Sequence, residues 1–119
     1  QVITWGIRQY GGESSAVQHQ LKSVRQIQAA DAAFATILED GSVVTWGDQT
    51  FGGDSSAVQE KLKAVWQIQA TVGAFAAILA DGSVVTWGDR ECGGDSSAVQ
   101  QELKAVRQIQ ATGRAFAAI

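Results

Sequence analysis

Apolar and polar residues along this chain fall into short runs, and the same runs return every 41 residues. Val43-Val44-Thr45-Trp46 is β-branched and aromatic, which predicts a strand, and Gly47-Asp48 ends it. Asp48 to Ser56 is rich in Gly, Asp and Ser and reads as a loop. Ser56 and Gln59 stand at capping-box spacing, so a helical turn or two is expected across Ser55 to Leu62. From Val65 to Ala70, apolar Trp66, Ile68 and Ala70 alternate with Gln67 and Gln69, the period of a strand with one face more buried. Ala74 to Leu79 is almost wholly apolar, as in a strand buried on both faces. Asp81-Gly82, and Asp40-Gly41 one unit earlier, lie between strand-like runs and predict tight hairpins.

The repeat defines units 1–41, 42–82 and 83–119, the last incomplete, within one structural body. Val43–Ile78 and Val84–Ile119 differ at only eight positions, so the fold is that of one unit. Residues that recur in every unit take structural roles: Trp5, Trp46 and Trp87, then Phe34, Phe75 and Phe116. The turn residues Asp40, Gly41, Asp81 and Gly82 join them. The fold class is therefore all-β, with about three to four strands per unit and a short helical turn in the long loop. Tandem all-β units of this length predict β-propeller blades. Solenoid coils are the competing architecture, but they are usually shorter and do not need a Trp-Gly-Asp turn plus a second hairpin. Ala76 and Ala77 beside Phe75 and Ile78 give the small-and-large mixture that closely packed blades favour.

These residues carry a resemblance. Val-Val-Thr-Trp-Gly-Asp is followed by Phe51-Gly52-Gly53, by Leu62, Val65 and Ile68, and by Ala-Ile-Leu-Ala-Asp-Gly-Ser before the next Val-Val-Thr-Trp-Gly. The pattern resembles the repeat of the regulator of chromosome condensation family, in the compact form found in bacterial tandem-repeat proteins. The resemblance covers the whole chain. It implies blades of a propeller that usually closes with seven, and activities such as guanine-nucleotide exchange or substrate recruitment by a ubiquitin ligase. The chain departs from the family in having Gly-Gly-Asp-Ser-Ser where Gly-Gln is common. It also has Gly73-Ala74-Phe75 or Arg114-Ala115-Phe116 where Gly-His is common.

Composition narrows the chemistry. Nine basic and twelve acidic residues leave a net charge of −3, which excludes nucleic-acid binding by bulk charge. Hydrophobic residues make up 45%, which excludes a disordered chain. No apolar run is long enough for a membrane-spanning helix. His19 is the only His, and its counterparts are Glu60 and Gln101, so no triad or metal site forms around it. Cys92 replaces Tyr10 and Phe51 of the other units and has no general base near it in sequence. Gly-Gly-Asp-Ser-Ser lacks the alternating oxygen ligands of a calcium loop, and no Lys follows Gly52-Gly53 as in a phosphate loop. No catalytic residue, cofactor or metal is expected, and the chain is read as a non-enzyme.

The expected function is protein–protein interaction through variable loops on a constant scaffold. Candidate contact residues are Arg8, Tyr10, Gln49, Phe51, Arg90 and Glu91 in the loops, and the row Arg25, Trp66, Arg107. A second variable cluster is Asp31-Ala32, Val72-Gly73 and Gly113-Arg114. Neutral drift in exposed loops would give the same pattern. The alternative function is a structural subunit that docks on a larger complex by blade edges. The partner is another protein, or further copies or blades of its own kind. Gln1 aligns with Ser42 and Ile119 with Ile78. The chain is thus expected to be an arc of a larger propeller, opened within a hairpin, whose free strand edges favour instability or self-association.

Overall fold

The Asp-Gly-Ser turns organise the chain. In the computed structural model, which describes residues 1–119, Asp81 Oδ1 accepts hydrogen bonds from the N–H and hydroxyl of Ser83 at 2.9 and 2.6 Å, and Asp40 does the same for Ser42. Gly82 sits at φ +85°, a conformation that an L side chain rarely adopts. Around these turns lie eight strands. They are β1 (Val24–Ala29), β2 (Ala33–Leu38), β3 (Val43–Gly47), β4 (Val65–Ala70), β5 (Ala74–Leu79), β6 (Val84–Gly88), β7 (Ile109–Ala111) and β8 (Phe116–Ala118). They form three antiparallel sheets, β1-β2-β3, β4-β5-β6 and β7-β8.

Each three-stranded sheet combines strands from two sequence units. The first two strands of a sheet end one unit, and the third strand begins the next. The boundaries read from the sequence at 41/42 and 82/83 therefore fall in hairpins inside sheets, so a repeat and a sheet are not the same segment. The reason is local. Asp-Gly ties two strands into a hairpin by hydrogen bonding, whereas the long Gly-Asp-Ser loop after Trp-Gly carries the chain to the next sheet. β8 is the last strand of its sheet.

The second sheet lies at the centre of the molecule. Along β5, Phe75 and Ala77 face a core shared with Ala33, Ala35 and Ile37 of β2, while Ala76 and Ile78 face Val106 and Ile109. Burial on both faces follows from the alternation of a strand between two layers. The alanines hold the layers close. The Trp-Gly strand β3 is clamped to its own loop by Thr45 Oγ1, which donates to Gly53 O at 3.1 Å and pairs with Ser55 Oγ at 3.0 Å, and Thr86 clamps β6 in the same way.

The 3₁₀ turn Ser56–Lys61 fills the position of the expected helical turn, but the expected Ser56–Gln59 capping box does not form. Ser55 Oγ donates to Gln59 Oε1 at 2.7 Å, and Gln59 Nε2 donates to Val43 O at 2.9 Å. Ser56 instead gives its N–H to Asp54 Oδ1 at 2.9 Å. Gln59 is drawn back to its own strand, so its side chain does not fold over the helix start. No helix is long and apolar enough to cross a membrane.

These turns make the fold acid-sensitive. The Ser42, Ser83 and Ser56 hydroxyls, with their N–H groups, hold Asp40, Asp81 and Asp54 below the usual carboxylate range. The N–H groups of Ser15 and Ser97 do the same chiefly for Glu13 and Asp95. A carboxylate with a lowered folded pKa stabilises the fold above its unfolded value, and the effect is lost as pH falls through the folded value. The melting temperature should therefore decline as the pH drops below about 4. In the D40N/D81N variant that decline should be shallower. Thermal melts across pH check this, and an equal decline in both proteins would contradict it.

Candidate functional site

The two variable clusters meet at one end of the sheets. The loop after each Trp-Gly closes as a 3₁₀ turn, at Arg8–Tyr10, Gln49–Phe51 and Arg90–Cys92. Its conformation rests on backbone. Phe51 N–H and Gly53 N–H donate to Asp48 O at 3.2 and 2.8 Å, and Cys92 and Gly94 repeat the pair on Asp89 O at 3.0 and 2.9 Å. Tyr10 and Gly12 make the same bonds to Ile7 O, although Ile7 has no capping side chain. Side chains at the three turn positions are thus free to change without unmaking the turn.

The second cluster is the turn between the two hairpin strands, and it is also held by backbone. Asp31 N–H donates to Val72 O at 3.0 Å, and Val72 N–H donates to Gly113 O at 2.8 Å, so the turns form a chain from unit to unit. The loops dock on these turns through Asp48 N–H to Ala32 O at 2.8 Å and Asp89 N–H to Gly73 O at 2.9 Å. Thr71 Oγ1 adds a buried bond to Cys92 O at 2.8 Å. Of the eight positions at which the second and third units differ, five lie in these loops and turns.

Between them opens a cavity of about 650 Å³. Its apolar wall is Tyr10, Ala32, Phe51 and Val72, and its charged rim is Asp31, Asp89 and Glu91 against Arg114. Its floor is Gly73, where a Cβ would lie 3.1 Å from the Phe51 ring and 3.3 Å from Cys92 Sγ. Tyr10 is 49% exposed, and Cys92, at the equivalent position, is buried. Burial and the nearby Asp89 carboxylate push the Cys92 thiol up, although Arg114 opposes them, so the protonated form dominates at neutral pH. No group of three or more metal-ligating side chains is assembled anywhere in the chain.

The sequence-derived candidates separate. Tyr10, Phe51 and Glu91 line the cavity. Gln49 is exposed beside it. Arg8 and Arg90 reach back to Glu13 at 3.8 Å and Asp95 at 3.5 Å, in exposed ion pairs that add little stability. The row Arg25, Trp66, Arg107 belongs to another place. Arg25 and Trp66 are the extra residues of β-bulges near the start of β1 and β4, at the far end of the strands from the variable turns. Arg25 is engaged, since its Nη2 donates to Val65 O at 2.7 Å and its Nη1 to Trp66 O at 3.3 Å. Trp66 is 53% exposed and lines a separate cavity with Arg107.

The structural aromatics also separate. Trp46 and Trp87 are buried; each indole N–H donates to the Gly carbonyl 35 residues earlier, Gly11 at 3.0 Å and Gly52 at 3.1 Å. They stack on Phe34 and Phe75 with ring centroids 5.3 and 5.4 Å apart. Trp5, assigned a structural role from the repeat, is instead 83% exposed. No Phe ring stacks on it and no Gly carbonyl accepts from its indole, as happens at Trp46 and Trp87.

Asp31, Val72, Gly73, Asp89 and Arg114 belong to the cavity but were not among the contact candidates. The variation at 31–32, 72–73 and 113–114 was the signal for four of them. Asp89 varies too, since its counterpart in the first unit is Ile7. Neither the known family models nor the curated proteins include a match to the chain.

Proposed function

We propose that the chain is a non-enzymatic interaction module built from propeller-type blades, and that it binds a protein segment in the cavity between the variable loops. The observation that carries this reading is the convergence of two variable clusters, distant in sequence, on one cavity whose shape is fixed by backbone bonds. The propeller arrangement is supported by inter-unit bonds that recur at the same offset, such as the two Trp-to-Gly bonds. Small residues between the layers support it as well.

The lining selects the occupant. An apolar wall takes an aliphatic or aromatic side chain, and three carboxylates against one guanidinium favour a basic flank. Panning a random-peptide phage library against the chain tests this. Peptides with an apolar residue beside Lys or Arg should be enriched. Tyr10→Ala and the exposed charge reversals Asp31→Lys and Glu91→Lys should each weaken the enriched peptides about tenfold, with melting temperature unchanged. Arg25→Ala should leave peptide affinity alone. Peptides that bind all three loop variants as tightly as the parent would contradict the reading.

A further inference from the structure

One seam between sheets is bridged by a guanidinium, and the next seam is not. Between the first and second sheets, Arg25 reaches across from β1. Its Nη2 donates to Val65 O at 2.7 Å and its Nη1 to Trp66 O at 3.3 Å. Between the second and third sheets, Trp66 stands at the position of Arg25, and Val106 and Arg107 stand at those of Val65 and Trp66. An indole has a single N–H and no charge, so it cannot reproduce the fork. No backbone N–H donates to Val106 O or Arg107 O.

The backbone around the two seams is alike. Val65 N–H donates to Gly41 O at 3.0 Å, and Val106 N–H donates to Gly82 O at 2.9 Å. A Cβ on Gly41 would lie 2.9 Å from Ala64 Cα, and one on Gly82 would lie 2.7 Å from Ala105 Cα. The sheets thus approach equally closely, and the difference lies in the side chains. Ala80 also takes the place of the longer Glu39. A cavity of about 520 Å³ opens at the second seam, lined by Trp66, Leu79, Ala80, Gly82, Val106 and Arg107. Trp66 stays 53% exposed, so its ring is a wall of this space and does not seal it.

We propose that this seam binds an arginine side chain of another protein, in the way that Arg25 bridges the first seam from within. The guanidinium donates to Val106 O and Arg107 O and stacks on the Trp66 indole, the aromatic face that attracts cations most. The aliphatic stem lies along Leu79 and Ala80. Arginine is selected over lysine, because a planar fork spans two adjacent carbonyls and stacks on a ring, whereas an ammonium does neither as well. The one like charge is Arg107, which is exposed and screened by solvent. The cavity is open at Trp66, so a side chain can enter while its own backbone stays outside. The site lies at the far end of the strands from the variable loops and does not rest on the loop reading.

Blocked peptides Gly-Gly-X-Gly-Gly, with X as Arg, Lys, citrulline or norleucine, test this when titrated into isotopically labelled protein. The Arg peptide should give saturable shifts at the Trp66 indole N–H and at the amides of Ala80, Gly82, Val106 and Arg107. The Lys and citrulline peptides should bind at least about threefold more weakly, and the norleucine peptide at least about tenfold. Trp66→Arg should fill the seam from within, abolish the saturable shifts and melt no lower than the parent. Trp66→Ala, which removes the ring and leaves the carbonyls, should weaken the Arg peptide about threefold or more with the fold unchanged. An Arg peptide that leaves the Trp66 indole unmoved would overturn the proposal. So would a norleucine peptide that binds as tightly, or undiminished binding to Trp66→Arg. Shifts at residues 49–51 and 90–92 in place of the seam would belong to the loop cavity, and would overturn this proposal alone.

Discussion

Phe75→Ala should cost the chain much of its stability and lower its melting temperature by at least about 10 °C. Phe75 is fully buried in the central core, stacks on Trp87 and packs against Gly52, whose missing Cβ makes room for the ring. Truncating a buried Phe costs about 3–5 kcal/mol, through lost transfer energy and the cavity left behind. A domain of this size holds only about 5–15 kcal/mol in total. The repeat supplies its own controls. Phe34 and Phe116 occupy the same position in the outer sheets and are only half-buried. Phe34 still stacks on Trp46, while Phe116 has no aromatic partner. Losses should therefore fall in the order Phe75, Phe34, Phe116. Chemical denaturation of the three alanine variants measures this, and equal losses would contradict the central placement of the second sheet.

Gly88→Ala is expected to be nearly as damaging, by about 3 kcal/mol or more. Gly88 has φ +111°, where an L side chain is strained by about 1–2 kcal/mol. A Cβ there would also lie 2.6 Å from Gly73 O and 2.7 Å from Ala74 Cα. Those atoms are backbone, so the start of β5 itself would have to move. Gly6 separates the two effects. It has φ +116° and nothing within 4 Å of a Cβ, so Gly6→Ala should show the conformational strain alone. Comparable losses at Gly6 and Gly88 would mean that close approach to β5 contributes nothing. Gly73 also floors the loop cavity, so Gly88→Ala should weaken peptide binding as well as the fold.

Much of the local structure was legible because it is decided locally. Val43–Gly47, Val65–Ala70 and Ala74–Leu79 were readable as strands from alternation and β-branching, and Asp81-Gly82 as a turn from its chemistry. What escaped depends on neighbours in space. Ser55 and Ser56 are indistinguishable in sequence, and only the position of Thr45 decides which hydroxyl is drawn inward. Trp5 reads like Trp46, yet it stands exposed, because the stacking ring and the Gly carbonyl that bury Trp46 are contacts in space. The boundary of a sheet is invisible in the repeat, because any 41-residue window describes the period equally well. The Arg25, Trp66, Arg107 row was legible as contact candidates apart from the loops, but its place in the fold was not. The bulge, a feature of strand pairing, assigns it to the opposite end of the strands. The loop and turn clusters were each legible as variable, but their meeting follows only from backbone bonds between them.

Amide chemical-shift mapping tests most directly whether the variable loops form the binding site. The probe is a peptide enriched by the parent chain, titrated into the isotopically labelled protein. Shifts should concentrate at residues 8–10, 49–51 and 90–92 and at the turns 31–32, 72–73 and 113–114, with Phe51 and Gly73 moving most. Shifts confined to Arg25, Trp66 and Arg107, or to the 3₁₀ turn Ser56–Lys61, with the loops unmoved, would contradict the account.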